Sequence, residues 1–141
     1  MGLNWKGREG EEEGQAISAD LENLARVVID AGLKVHRALG PGLLESVYEQ
    51  CLAQELTLRG ISVGRQVSAP VSYEGITLEG GYRIDLLVAD QLILEIKAVE
   101  ALSRLYEAQL RTYLRLSSRR LGFLMNFNVV LFKDGLRRIS V

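Results

Sequence analysis

At 141 residues and 48% hydrophobic content, the chain fits one compact domain that buries its core without staples, and its formal net charge of −1 excludes a uniformly basic surface. The single cysteine, Cys51, rules out an internal disulfide and sits in an amphipathic stretch where packing is its ordinary role. No apolar run approaches about 18 residues and the N-terminus lacks an apolar signal core, so no membrane partner is expected and the cytoplasm is the expected location.

Residues 1–18 are rich in Gly and Glu without hydrophobic periodicity, and read as an acidic tail ahead of a single domain over 19–141. Trp5 in that tail is isolated and carries no functional reading. From Ala19 the pattern turns helical, with Leu21, Leu24, Val27, Val28, Ala31 and Val35 on one face, Asp20 as a candidate cap and Gly40-Pro41-Gly42 as the break. His36, the sole histidine, falls near the end of this helix, where a cap or packing role is expected. A second helix over about 43–59 carries Glu45 in its first turn and Tyr48 three residues on.

Strand signals follow. Residues 63–71 and 72–78 read as a first strand with an irregular edge at Pro70 and a turn at Glu74-Gly75, and further strands are expected over 82–89 and 92–98 with a turn at Asp90-Gln91. A helix over about 103–116 comes next, then strands near 121–127, 129–133 and 137–141, with hairpin-turn chemistry at Lys133-Asp134-Gly135. This order implies an α/β architecture, a mixed sheet with helices on its faces.

The chemistry concentrates in the 82–98 hairpin. Asp85, Glu95 and Lys97 are the only charges inside its two apolar runs apart from Arg83. Side chains alternate across a strand, so Glu95 and Lys97 share a face, and a turn at Asp90-Gln91 brings Asp85 near Glu95. Two carboxylates about 4 Å apart repel by roughly 4 kcal/mol at an effective dielectric near 20. A divalent cation reverses that sign, and hard oxygen ligands suit Mg²⁺ or Mn²⁺. Lys97 would then orient or deprotonate an attacking water, or steady charge developing on phosphate. The competing reading of the same spacing is a structural ion pair between Lys97 and Glu95.

Further segments bear on that choice. Gly42, Glu45 and Tyr48 precede the hairpin in Leu39-Gly40-Pro41-Gly42-Leu43-Leu44-Glu45-Ser46-Val47-Tyr48, and Gln109-Leu110-Arg111-Thr112-Tyr113 follows it. In this order the segments resemble the GxxExxY family of the PD-(D/E)XK nuclease superfamily, over residues 24–141. The resemblance implies a restriction-endonuclease-like αβββαβ core and metal-dependent hydrolysis of nucleic acid. It implies that Asp85 and Glu95 hold the metal, that Glu45 joins them, and that Lys97 serves the attacking water. Gln109 and Tyr113 match the Gln-xxx-Tyr motif of RecB-like members, and Gln109 would hold a water, a ligand or substrate phosphate. Tyr48 is expected to support the site, and His36 is a secondary candidate because some nuclease relatives use a histidine from this region.

Charge distribution agrees with a nucleic-acid partner. Residues 1–20 hold five acids against Lys6 and Arg8, whereas residues 101–141 hold eight basic residues against Glu107 and Asp134. Arg104, Arg111 and Arg115 in that region are candidate phosphate contacts beside the carboxylates; an ordinary solvated surface is the competing reading. DNA is favoured over RNA as the partner, and a homodimer or larger assembly is open. The alternative function is a catalytically silent nucleic-acid-binding or protein-interaction module on a nuclease scaffold.

Overall fold

Ser18 opens the first helix: its hydroxyl accepts a hydrogen bond from Leu21 N at 3.2 Å and caps α1 (Ala19–Leu39). Asp20, the expected cap, lies inside the first turn, where its charge complements the helix dipole. The computed structural model describes residues 16–141, so residues 1–15 of the expected tail, Trp5 among them, lie outside the described residues. After the Gly40-Pro41-Gly42 break comes α2 (Glu45–Leu58). The strands β1 (Val63–Tyr73), β2 (Ile76–Val88) and β3 (Leu92–Lys97) form a meander, α3 (Arg104–Ser117) crosses over, and β4 (Leu121–Asn126) and β5 (Leu136–Ser140) close the chain.

The five strands form one sheet in the order β1-β2-β3-β4-β5. All neighbours are antiparallel except β3 and β4, which the α3 crossover makes parallel. Helices α1 and α2 cover one face through Val28, Val35, Leu52 and Leu56 against Leu86, Leu94, Ile96 and Phe123. The other face meets α3 through Leu110 and Leu114 against Ile84, Ile93 and Leu124. This is the mixed α/β sheet with flanking helices, and α2-β1-β2-β3-α3-β4 supplies the αβββαβ core.

Two strand expectations require correction. Residues 76–78 do not continue the first strand; they begin β2, which runs unbroken to Val88. Ala69 pairs with Tyr82 and Val71 with Leu78, so Glu79-Gly80-Gly81 oppose Pro70 alone, and Gly80 at φ +65° absorbs the surplus as a bulge. Residues 129–133 form no strand either. They pass through bends into a 3₁₀ turn (Phe132–Gly135), and side chains bind the backbone at Val129 and at Asn128 just before it. His36 Nε2 donates to Val129 O at 2.8 Å, and Asn128 N donates to Asn126 Oδ1 at 3.2 Å. Gly135 then lies against Asn126 O so closely that a Cβ there would overlap it. Among the described residues no helix is long and apolar enough to cross a membrane.

Candidate active site

The β2–β3 ladder is short. It runs from Val88↔Leu92 to Leu86↔Leu94 and stops one pair before Asp85 would meet Glu95. The turn that sets this register has both Ala89 (φ 51°) and Asp90 (φ 57°) left-handed, with Gln91 N donating to Val88 O at 2.9 Å. Beyond Leu86 the strands part, and side chains take over the ladder. Asp85 N donates to Glu95 Oε2 at 3.0 Å, and Ile96 N donates to Asp85 Oδ2 at 2.8 Å. The two carboxyl groups are thus each anchored on the other's strand. Across Asp85 the packing also changes sides: Ile84 joins the α3-side cluster, whereas Leu86 joins the α1/α2-side cluster.

Anchoring two acids here has an electrostatic consequence. Glu95 is only 3% exposed. Burial first, and the Asp85 charge second, push its pKa up to about 8, against smaller opposing contributions from the Asp85 N–H and Lys97. Its second oxygen, Oε1, accepts no hydrogen bond among the described residues. Lys97, one turn of the pleat further, holds its Nζ 4.5 Å from the centroid of the Tyr106 ring, a cation–π contact that aims it from β3 toward α3.

Glu45 reaches the same place from α2. Partial desolvation raises its pKa above the ordinary value, as do Asp85 and Glu49, while Lys97 and the Ala98 backbone N–H oppose the shift. The loop that delivers it is pinned by Tyr48, which is fully buried. Tyr48 Oη donates to Gly40 O at 2.6 Å and accepts from Leu43 N at 3.0 Å, while its ring stacks on Phe127 at 4.7 Å and 11°. Gly42 between those contacts has φ +101°, a conformation side chains rarely adopt. The Gly-x-x-Glu-x-x-Tyr spacing therefore has a physical reading: a turn that needs glycine, a clamp that needs a phenol, and a carboxylate held between them.

Three site residues escaped sequence reasoning. Glu49, buried on α2, accepts Gln66 Nε2 at 2.7 Å and pairs with Arg65 at 3.2 Å. Gln66 Nε2 also lies 3.4 Å from Asp85 Oδ1, and its backbone sits at φ +51° inside β1. That left-handed residue directly opposes Asp85, since Arg65 pairs with Leu86 and Val67 with Ile84. Asn126 ends β4 opposite Lys97 and binds the backbone of Val99 from both sides, accepting from its N–H at 3.0 Å and donating to its carbonyl at 2.9 Å. A glutamine inside β1 and an asparagine at the end of β4 carry no spacing signal, so only a structure finds them.

On α3, Tyr113 packs against Tyr82 at 4.8 Å. Desolvation, then the charges of Glu95 and Asp85, raise its pKa, and Arg83 opposes them. Its phenol therefore stays protonated beside the carboxylates as a donor. Gln109 is half-buried on the same flank and makes no hydrogen bond to any described residue. Arg104, Arg111 and Arg115 are exposed and in no ion pair, but they are turned elsewhere. At about 100° per residue they lie within roughly 40° of one another and point well away from Gln109 and Tyr113. The expected phosphate stripe does not adjoin the carboxylates. His36 contacts Phe127, Phe132 and the Val129 carbonyl rather than the acids.

A family model for the PD-(D/E)XK nuclease superfamily matches residues 22–139. The chain belongs to the PD-(D/E)XK nuclease superfamily. No curated protein and no solved structure matches it. Members of this superfamily are usually nucleases, and they generally use divalent metal ions. The donor set fits a hard divalent cation: two anchored carboxylates, one with a buried oxygen free of hydrogen bonds. Among the described residues no three His, Cys, Asp or Glu side chains are gathered closely enough to hold an ion by themselves. Mg²⁺ suits such a set, since it retains waters and commonly takes one or two carboxylates plus phosphate oxygens.

Proposed function

We propose that the chain is a metal-dependent nuclease of the GxxExxY group, acting in the cytoplasm on DNA in preference to RNA. The observation that carries this reading is the reciprocal hydrogen bonding of Asp85 and Glu95 across the opened ladder, with Lys97 on the same strand. A structural ion pair would place Lys97 on Glu95; instead Glu95 is buried beside another acid and Lys97 lies over Tyr106. Asp85 and Glu95 would hold Mg²⁺ or Mn²⁺, with Glu45 supplying a further oxygen from α2. The bound ion supplies Lewis acidity at the scissile phosphate and offsets the repulsion of the acids.

The protein's own groups do the rest. Lys97 orients the attacking water and stabilises charge growing on the phosphate. Tyr113 and Gln109, both donors on the inner flank of α3, contact phosphate oxygens or an ordered water. Gln66 and Glu49 keep the Asp85 carboxyl in place from behind.

The test is cleavage of labelled single-stranded DNA, duplex DNA and RNA in Mg²⁺ and in Mn²⁺. Wild type is compared with Asp85→Asn and Lys97→Ala from identical preparations. Each variant should lose at least about 100-fold in rate while its circular dichroism stays unchanged. Equal cleavage by all three proteins ends the assignment. Salt-sensitive binding without turnover in either metal transfers it to a silent nucleic-acid-binding module.

A further inference from the structure

Lys97 has acids within reach and binds none of them. On β3 it stands two residues beyond Glu95 on the same face, about 7 Å along the strand, a span that a lysine side chain covers. Its charge is felt at both Glu95 and Glu45. Yet among the described residues Lys97 forms no ion pair. Its Nζ lies instead 4.5 Å from the centroid of the Tyr106 ring.

Tyr106 is built into that position. It is half-buried in the first turn of α3, where its backbone N donates to the Ser103 hydroxyl at 3.4 Å. By the helical repeat it lies within about 40° of Leu110 and about 20° of Tyr113, on the flank that meets the sheet. Its hydroxyl makes no hydrogen bond to any described residue, so what the side chain offers Lys97 is the face of its ring. The segment between the two partners is fastened as well. Phe127 N donates to Lys97 O at 2.9 Å, and Asn126 holds both the N–H and the carbonyl of Val99.

The contact matters because an ammonium and a divalent cation compete for the same oxygens. A lysine settled on Asp85 or Glu45 would occupy the hard ligands that the ion needs, and would itself be tied up. An aromatic face attracts the ammonium without using a carboxylate oxygen. We infer that Tyr106 is a positioning residue: its ring holds the Lys97 ammonium off the carboxylates, leaving their oxygens to a divalent cation with the lysine beside it. The inference rests on the reading of Asp85, Glu95 and Glu45 as the metal site. Tyr106 acts on the ion only through Lys97.

Calorimetric titration of Mn²⁺ into the full chain tests it without recourse to cleavage. Tyr106→Leu keeps apolar bulk but removes the ring face, and should weaken binding about 10-fold. Tyr106→Phe keeps the ring and should bind as wild type does. In a Lys97→Met background, which keeps the stem without the charge, Tyr106→Leu should cost nothing further. A role in packing alone would weaken binding in either background, and that result overturns the inference. So does equal affinity of wild type and Tyr106→Leu, or a Tyr106→Phe protein that behaves like Tyr106→Leu. In proton NMR of the metal-free protein, the ring current should shift the Lys97 ε-methylene upfield in wild type and Tyr106→Phe. Unshifted protons in wild type overturn the inference even if Tyr106→Leu fails to fold. A protein that shows the whole pattern but cleaves no nucleic acid upholds the inference and ends the nuclease reading. One that cleaves in Mn²⁺ with an affinity indifferent to Tyr106→Leu does the reverse, and a wild type that binds no divalent ion overturns both.

Discussion

Glu95 shows how one residue can be a liability to the fold and an asset to the site. Its folded pKa of about 8 exceeds the ordinary 4.5, so the folded protein holds a proton that the unfolded chain has released between those values. Stability attributable to Glu95 is therefore fully present below the ordinary pKa and is lost as pH rises toward 8. Without divalent metal, wild type should lose a few kcal/mol relative to Glu95→Gln between pH 5 and pH 8, read by urea denaturation. Added Mg²⁺ should reverse the trend for wild type alone; parallel pH curves for both proteins would discard this account. Gln66 is a second residue under tension, left-handed in a strand and bound to Glu49 and Asp85. Both Gln66→Gly and Gln66→Ala should weaken metal affinity by about 10- to 100-fold in calorimetric titration, as loss of an outer partner does. The glycine variant should nonetheless be the more stable by about 1 kcal/mol, because only it adopts φ +51° freely. Equal stabilities would show that the backbone there carries no strain.

At the scale of elements, the helices were legible because their apolar spacing is long and their ends are marked. Gly40-Pro41-Gly42 breaks α1, and Ser103 caps α3 with a hydrogen bond from Tyr106 N at 3.4 Å. The hairpin carrying Asp85 and Glu95 was legible too, since its turn lies between two apolar runs of β-formers. The errors have a common origin. Gly80-Gly81 looks like a strand end but serves a bulge inside β2, and residues 129–133 have strand composition but the Val129 carbonyl is taken by His36. Both depend on groups distant in sequence. The Tyr48 clamp joins local and distant terms, since its hydroxyl holds the turn and its ring meets Phe127. Tyr48→Phe keeps the stack and removes both hydrogen bonds, so it should destabilise the fold by about 1–3 kcal/mol. Cleavage should fall more than stability explains, because Glu45 hangs on that turn; activity unchanged at saturating metal would separate Glu45 from the site.

The whole molecule decides what composition left open. The carboxylate pair and its lysine were readable because the strand period and one tight turn suffice to bring them together. Arg104, Arg111 and Arg115 are exposed but turned from the acids, and a count of arginines carries no information on which flank of α3 meets the sheet. Leu110 and Leu114 fix that flank by burial, and the helical repeat then turns Arg104, Arg111 and Arg115 away from Tyr113. Among the described residues, the cations of the site outside the Arg65–Glu49 pair are Lys97 and the exposed Arg83, whose charge is felt at Tyr113. Binding of a short oligonucleotide to a non-cleaving Asp85→Asn background should therefore weaken with salt through these two. Removing one phosphate contact lowers the salt slope by about one. Arg83→Ala should show that reduction in a plot of log affinity against log salt. Replacing Arg104, Arg111 and Arg115 together by Ala should leave the slope for a short oligonucleotide unchanged. A slope that falls by about three with the triple variant and not at all with Arg83→Ala would mean that substrate runs along the outer face of α3. The carboxylates would then face something other than the scissile strand.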